Sequence, residues 1–381
     1  MRPVPTWTWR QLRRQAPPNF RGVPNSAQRV SIALRPKKSG PQPKNEPKQP
    51  RKRNTMKAVV YERYGPPEVL AVREVPKLAP KDNEVLIKTY ATTVTSGDWR
   101  VRSLQVPAGF GLLMRLVFGV FRPRQPILGT ELAGVVEAVG EGVRQFQVGD
   151  AVFAFSDARM GCHAEYLCLP QDGALALKPT NLSYGEAAAL SFGGTTALSF
   201  LRRAKLQPGD TVLVNGASGG VGTAAVQLAR HFGAEVTAVC SAANLELVKS
   251  LGSAHTIDYT QQDFTRNGKT YDVIVDTVGN APFVRSKDSL KEGGRLLMVL
   301  AGLPDMLRAP WVSITSGKKL IAGPATARAE DLQFLAQLAQ AGAYKVVIDR
   351  RYPLEQIVEA HRYVDTRRKR GNVVISLGFE D

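Results

Sequence analysis

The run Thr211-Val212-Leu213-Val214-Asn215-Gly216-Ala217-Ser218-Gly219-Gly220-Val221-Gly222 constrains this chain more than any other stretch. Val212-Leu213-Val214 is apolar on both faces, as a central strand of a parallel sheet must be. A glycine-rich turn follows, and Val221–Phe232 then has helical spacing closed by Gly233. A strand that turns this tightly into a helix presents unpaired N–H groups and the positive end of the helix dipole to an anion. Glycines here keep the turn tight and let backbone approach a pyrophosphate that side chains would block. The run departs from G-x-G-x-x-G because Ala217 takes the first glycine position, leaving Gly216 and Gly220 to supply the freedom. Gly216, Ala217, Ser218, Gly219, Gly220, Val221 and Gly222 are therefore the expected phosphate-binding residues of a dinucleotide site.

The surrounding rhythm agrees. Asp210–Asn215, Glu235–Cys240, Asp272–Asp276 and Arg295–Leu300 read as strands, with helices over Val221–Phe232, Leu245–Leu251 and Phe283–Leu290. Strands alternating with helices imply a parallel sheet with crossover helices. Residues 56–180 read differently. Short β-rich runs (Lys57–Tyr61, Glu84–Thr92, Gly134–Val139, Ala151–Phe155, Ala164–Leu169) alternate with Gly/Pro turns, suggesting a barrel-like domain. Late in the chain, Ala329–Ala341 reads as a helix, and Val346–Asp349 and Asn372–Leu377 read as strands.

Charge is uneven. Residues 1–55 hold 14 of the 51 Lys and Arg residues and one of the 33 acids, so +13 of the net +18 sits there. Ten prolines and no sustained periodicity mark this extension as disordered. It is read as the product of an upstream start codon, since Met56 opens a strand; a targeting peptide or a nucleic-acid patch at Pro50-Arg51-Lys52-Arg53 are the alternatives. The nearly neutral body gives no reason to expect specific nucleic-acid binding. No apolar run is long enough for a transmembrane helix. Three cysteines without a Cys-x-x-Cys pair point to a reducing compartment, hence the cytoplasm, or an organelle if the extension is a targeting signal.

Pro126-Ile127-Leu128-Gly129-Thr130-Glu131-Leu132-Ala133-Gly134-Val135-Val136, Val148-Gly149-Asp150-Ala151-Val152, Ala187-Ala188-Ala189-Leu190, Gly194-Thr195-Thr196-Ala197 and the glycine-rich turn together resemble the medium-chain dehydrogenase/reductase superfamily, most of all its zinc-free quinone oxidoreductase (zeta-crystallin-like) branch. The resemblance covers about residues 56–378. It implies an α/β protein with a GroES-like β-rich catalytic domain (56–180 and 323–381) and an inserted Rossmann doubly wound parallel sheet (181–322). It also implies a nicotinamide cofactor in the cleft between them, a homodimer, and hydride transfer to a quinone or α,β-unsaturated carbonyl. Zinc-dependent relatives place metal ligands where this chain has Thr95, Thr130 and Ser191, and neutral hydroxyls are poor zinc ligands, so no metal is expected. Cys162-His163 reads as a surface turn.

The end of the second strand, Cys240-Ser241-Ala242-Ala243-Asn244, carries no acid to bind a ribose 2′-hydroxyl or repel a 2′-phosphate. NADPH is expected, with NADH possible, and Ser241, Asn244 and Lys249 are the available donors. The resemblance adds Thr196, Tyr259, Val278, Leu300 and Asn372 to the cofactor site. Thr95, Ser96 and Asp98 line the place the zinc pocket takes in relatives and are candidates for catalysis, with Tyr64 a further candidate proton donor; Asp98 reads more readily as a loop anchor. The apolar stretch Phe110–Phe121 suits a lid or an oligomer contact better than a membrane anchor. The rival readings are a cofactor-binding protein with little turnover, possibly RNA-binding, and an alcohol dehydrogenase-like activity, the latter disfavoured because nothing would polarise the oxygen.

Overall fold

The computed structural model describes residues 54–378. All but the last two residues of the basic extension lie outside them.

Six strands form one sheet in the order β10-β9-β8-β11-β12-β13: β8 Thr211–Asn215, β9 Glu235–Cys240, β10 His255–Asp258, β11 Tyr271–Asp276, β12 Leu290–Met298 and β13 Lys319–Ile321. Every neighbouring pair is parallel. In chain order this is 3-2-1-4-5-6, the doubly wound arrangement in which ligands bind beyond the carboxyl ends of the strands where the order reverses. Val212, Leu213 and Val214 of β8 are completely buried, as their two-sided apolar pattern requires. The helix α4, Gly220–His231, follows the turn after β8.

The second unit is built around the long strand β3, Glu84–Val94. It pairs antiparallel with β4 (Glu131–Val139), with β6 (Tyr166–Pro170) and with β15 (Asn372–Ser376). Strands β5 (Ala151–Phe155), β7 (Leu175–Leu177) and β14 (Ile348–Pro353) extend the sheet to seven, and β1 (Thr55–Tyr61) pairs with β2 (Leu70–Pro76). The C-terminal strands thus return to the first segment's sheet. Between the units runs α3, Tyr184–Ala204, started by a Ser183–Glu186 capping box and rich in Ala and Gly. Small side chains let it lie close to α4 and both sheets, so one apolar core is shared across the junction.

Three expectations are corrected. The helix read over Phe283–Leu290 ends at Ser286, and β12 already begins at Leu290. The strand read from Arg295 begins instead at Leu290 and carries Gly293-Gly294 inside it, where the register against β11 shifts; glycine in a strand marks such irregularities. Cys162-His163 is not a surface turn but completely buried, with His163 edge-on to the buried His361. The Phe110–Phe121 stretch does contain a helix, α2, Gly111–Phe118, yet Leu112 and Phe121 remain 73% and 94% exposed.

Candidate active site

A cavity of about 880 Å³ lies between the two units, and the turn after β8 forms its floor. Gly216 adopts φ +79°, a left-handed conformation that favours glycine. At Gly222 a Cβ would overlap the Gly216 carbonyl oxygen, so α4 packs against the turn only with glycine there. Asn215, Gly216, Ser218, Gly219, Gly220, Val221 and Gly222 line the cavity. Ala217 is completely buried beneath them, its amide donating to Val239. The first N–H groups of α4 lack intrahelical acceptors and face this space.

The C-terminal segment crosses the turn. The Gly371 amide donates to the Ser218 carbonyl at 2.7 Å. A Cβ at Gly220 would stand 3.0 Å from Asn372 Oδ1 and 3.3 Å from Lys369 Nζ, so a side chain there would occupy the space these two groups border. Asn372 is held by the Val347 carbonyl through both its amide and its Nδ2. The Lys369 ammonium donates to the Gly371 carbonyl at 2.6 Å, and burial in the cleft wall lowers its pKa to about 8. Arg367, Arg368 and Arg370 also line the cavity. This cationic wall suits a polyphosphate, and it is a feature the sequence reading missed. The signal was the run Arg367-Arg368-Lys369-Arg370 directly before Gly371.

At the end of β9, Asn244 Nδ2 donates to Ser218 Oγ at 3.2 Å and Ser241 Oγ at 3.1 Å. Asn244 Oδ1 is buried with no partner among the described residues. Ser241, Asn244 and the exposed Tyr259 line the same end of the cavity. Lys249 does not, pairing instead with Glu246 at 2.8 Å. Beyond β11, Asp276 accepts from the amides of Val278, Gly279 and Ala281 and from Asn215 Nδ2. It thereby fixes the loop that puts Val278 beside Leu300 in the cavity wall. Thr196 is buried on α3, outside the wall.

The same cavity is lined by α1, Ser96–Ser103, through Ser96, Trp99 and Arg100, with Phe192 packed against the start of the helix. Thr95 is its N-cap: the hydroxyl accepts from the Gly97 and Asp98 amides and donates to Asp98 Oδ2 at 2.6 Å. Asp98 accepts in addition from the Thr95 amide at 2.7 Å and the Gly129 amide at 3.0 Å. Both carboxylate oxygens are thus engaged in anchoring α1 to the start of β4. Tyr64 donates to the Gly119 carbonyl at 2.8 Å and lies outside the cavity wall, holding the end of α2. The structure therefore brings Ser96 to the cleft and places Thr95 and Asp98 one layer behind it.

The residues at the zinc positions do not fit the metal. Thr130 Oγ1 and Ser191 Oγ are buried hydroxyls without partners among the described residues, and Thr95 is committed to its cap. Among the described residues no group of three or more His, Cys, Asp or Glu side chains could hold a metal ion. Cys162 is beside Ser156, and burial drives its thiol pKa far upward; His163 Nε2 bonds the Thr93 carbonyl at 2.9 Å. Glu131 is completely buried, receives the Thr93 hydroxyl and the Phe192 amide, and is pushed up to about 8 by burial.

Residues 81–180 match the alcohol dehydrogenase GroES-like domain family and residues 251–375 match the zinc-binding dehydrogenase family. A chloroplast envelope quinone oxidoreductase homolog from Arabidopsis thaliana is 34% identical over 322 residues, covering 80% of this chain and 93% of that one. This chain belongs to the quinone oxidoreductase branch of the medium-chain dehydrogenase/reductase superfamily. A quinone oxidoreductase from Sus scrofa is 33% identical, over 84% of this chain and 98% of its own. The quinone oxidoreductase structure from Coxiella burnetii superposes with a TM-score of 0.76 at 29% identity, covering 85% and 99% of the two chains. Like the branch as a whole, the chain is an NAD(P)H-dependent oxidoreductase with a GroES-like and a Rossmann unit.

Proposed function

We propose that this enzyme transfers hydride from NADPH to a quinone or an α,β-unsaturated carbonyl without a metal. The carrying observation is one cavity lined together by the glycine-rich turn, the cations of residues 367–370, and the apolar and aromatic side chains Trp99, Phe192, Val278 and Leu300. Bound there, the nicotinamide supplies a hydride; the protein orients it, keeps water out and meets the negative charge that develops on the acceptor oxygen. In an enone the hydride adds at the β-carbon, the π electrons move onto the carbonyl oxygen, and the α-carbon then takes a proton.

Gly216 to Gly222, Ser241, Asn244, Tyr259, Val278, Leu300 and Asn372 are assigned to the cofactor, with Thr196 behind them. NADPH is favoured over NADH because the end of β9 offers Ser241 and Asn244 and no acid. Zinc independence follows from the donor set at Thr95, Thr130 and Ser191. Ser96 is placed at the acceptor. Thr95 and Asp98 act as positioning residues for α1.

A homodimer is part of this reading. Strand β13 is the outer edge of its sheet, and the neighbouring helix α7, Leu303–Thr315, exposes Leu307, Trp311 and Ile314 along one side. The three unpaired cysteines fit a reducing compartment such as the cytoplasm. Among the described residues no helix is long and apolar enough to cross a membrane.

The test is a fluorescence titration with NADPH and NADH, followed by a panel of quinones, enals, enones and aldehydes, on protein starting at Met56. Tighter NADPH binding and turnover of conjugated carbonyls in the presence of a chelator are expected. Absence of binding to either nucleotide at millimolar concentration would overturn the reading.

A further inference from the structure

Arg100 is a cation inside the cleft without an acidic partner. The residue is half-buried on α1 and lines the cavity, as do Ser96 and Phe192. The hydrogen bond recorded for it is from Nη1 to the Gln105 carbonyl at a long 3.3 Å. Its Nε–H is buried with no partner among the described residues. An orphaned donor on a charged group costs more than a neutral one, and such exceptions in native structures mark strain, a catalytic role or a bound water or ion. The guanidinium is not loose. Its Cζ stands 4.9 Å from the Trp99 ring centroid, and Arg367 stacks on the same ring at 4.6 Å, so the indole lies against two cations. Burial and Arg367 both lower the Arg100 pKa. Stacked, desolvated and short of an acceptor, this donor is oriented before any substrate arrives.

We infer that Arg100 receives the acceptor oxygen, its guanidinium donating hydrogen bonds to the oxyanion that forms as hydride is delivered. The inference rests on the reductase reading and extends it to the group that replaces a Lewis acid. Thr95 and Asp98 cannot serve, since their oxygens are engaged in the α1 cap. For an enone, the hydride forms the new C–H bond at the β-carbon, the C=C pair moves to make the enolate, and Arg100 holds the enolate oxygen until solvent protonates the α-carbon. For a quinone, the same oxygen becomes the hydroquinone phenolate before protonation. The guanidinium keeps all its protons throughout and acts as an electrostatic clamp. Phe192, Val278 and Leu300 line the same cavity and give it the flat or apolar wall that a quinone or enone needs.

The experiment uses the full chain saturated with NADP⁺ and titrated with 4-nitrophenol, a probe whose phenolate band reports ionisation without turnover. The wild-type complex is expected to bind the phenolate and lower its midpoint by about one pH unit or more. R100Q should lose that shift, and its kcat/KM for an enone should fall about 10²- to 10³-fold, the usual effect of removing an oxyanion donor. Its NADPH dissociation constant should move less than about twofold, and added guanidinium ion should restore part of the turnover of R100A. An R100Q enzyme that kept kcat/KM within about threefold, or kept the phenolate shift, would overturn the assignment. That failure is distinguishable from failure of the reductase reading: there, the wild type itself would neither bind NADPH nor reduce any acceptor.

Discussion

The amide of Gly371 donates to the carbonyl of Ser218 across 2.7 Å, and this one bond ties the C-terminal strand of the β-rich unit to the phosphate turn of the parallel sheet. The cavity proposed for the nucleotide is therefore a property of the joined units. Lys369 reaches the turn, and Arg367, Arg368 and Arg370 reach the cavity, because β15, which follows them, is locked into the sheet on β3.

The fit of α4 against the turn is the first place to test. In G222A the added methyl group meets the Gly216 carbonyl, so the helix start must move away from the turn. A loss of about 1–3 kcal/mol in stability is expected from overpacking of this kind. NADPH affinity should fall at least about tenfold, because the amides no longer converge. Chemical denaturation and fluorescence titration measure the two effects separately.

Asp98 is expected to behave as an anchor. D98A leaves the Thr95 and Gly129 amides without their acceptor, which costs about 1–3 kcal/mol for each buried orphan. T95A should cost about 1 kcal/mol as a lost N-cap. Urea melts give both numbers. If D98A kept full stability while turnover collapsed, a direct chemical role would replace the anchoring one.

Lys369 makes nucleotide binding pH-dependent. Burial lowers its pKa to about 8 in the free enzyme, and a bound phosphate favours the ammonium form. Below pH 8 the ammonium is already present; as pH rises through 8 it is lost from the free enzyme. The NADPH dissociation constant should therefore increase from pH 7 to 9.5, with proton uptake on binding. K369Q should bind more weakly at pH 7 and show a flatter profile. Isothermal titration in two buffers of different ionisation enthalpy reads the proton count.

Glu131 gives the opposite kind of signal, in stability. Burial raises its folded pKa to about 8, above the ordinary carboxylate value. Between about pH 4.5 and 8 the folded state retains a proton that the unfolded state releases. Its contribution is therefore complete at low pH and is lost as pH climbs through 8. Relative to E131Q, the wild type should lose on the order of a few kcal/mol between pH 5 and 8. Paired denaturation curves at the two pH values cancel the other titrating groups.

The proposed dimer predicts that W311E with L307E is monomeric by sedimentation, since both side chains lie exposed beside the open β13 edge. An unchanged sedimentation coefficient would remove α7 from the interface.

The parallel sheet was legible because its signals are local: a two-sided apolar strand, a glycine turn, a helix with its own stop. The same is true of the glycine-rich turn, whose residues are consecutive. Short edge elements such as β10 and β13 were not legible, since three or four residues carry no period. The start of β12 at Leu290 lies ahead of the strand read from Arg295, because Gly293-Gly294 breaks the apolar run and only pairing with β11 carries the strand through it.

The chain's order of residues alone determined where backbone amides gather, that no acid ends β9, and that hydroxyls stand where related enzymes keep metal ligands. Tertiary structure decided which charges meet those amides and which polar groups are already spent. Arg100 and Lys369 lie 269 residues apart in the chain, and both line the cleft formed at the junction of two sheets. Asp98 reads from the sequence more readily as a loop anchor than as a reactive group, but only packing delivers the distant Gly129 amide to it. Hydrogen-bond satisfaction is a property of space, and sequence spacing reports it only within a turn or two.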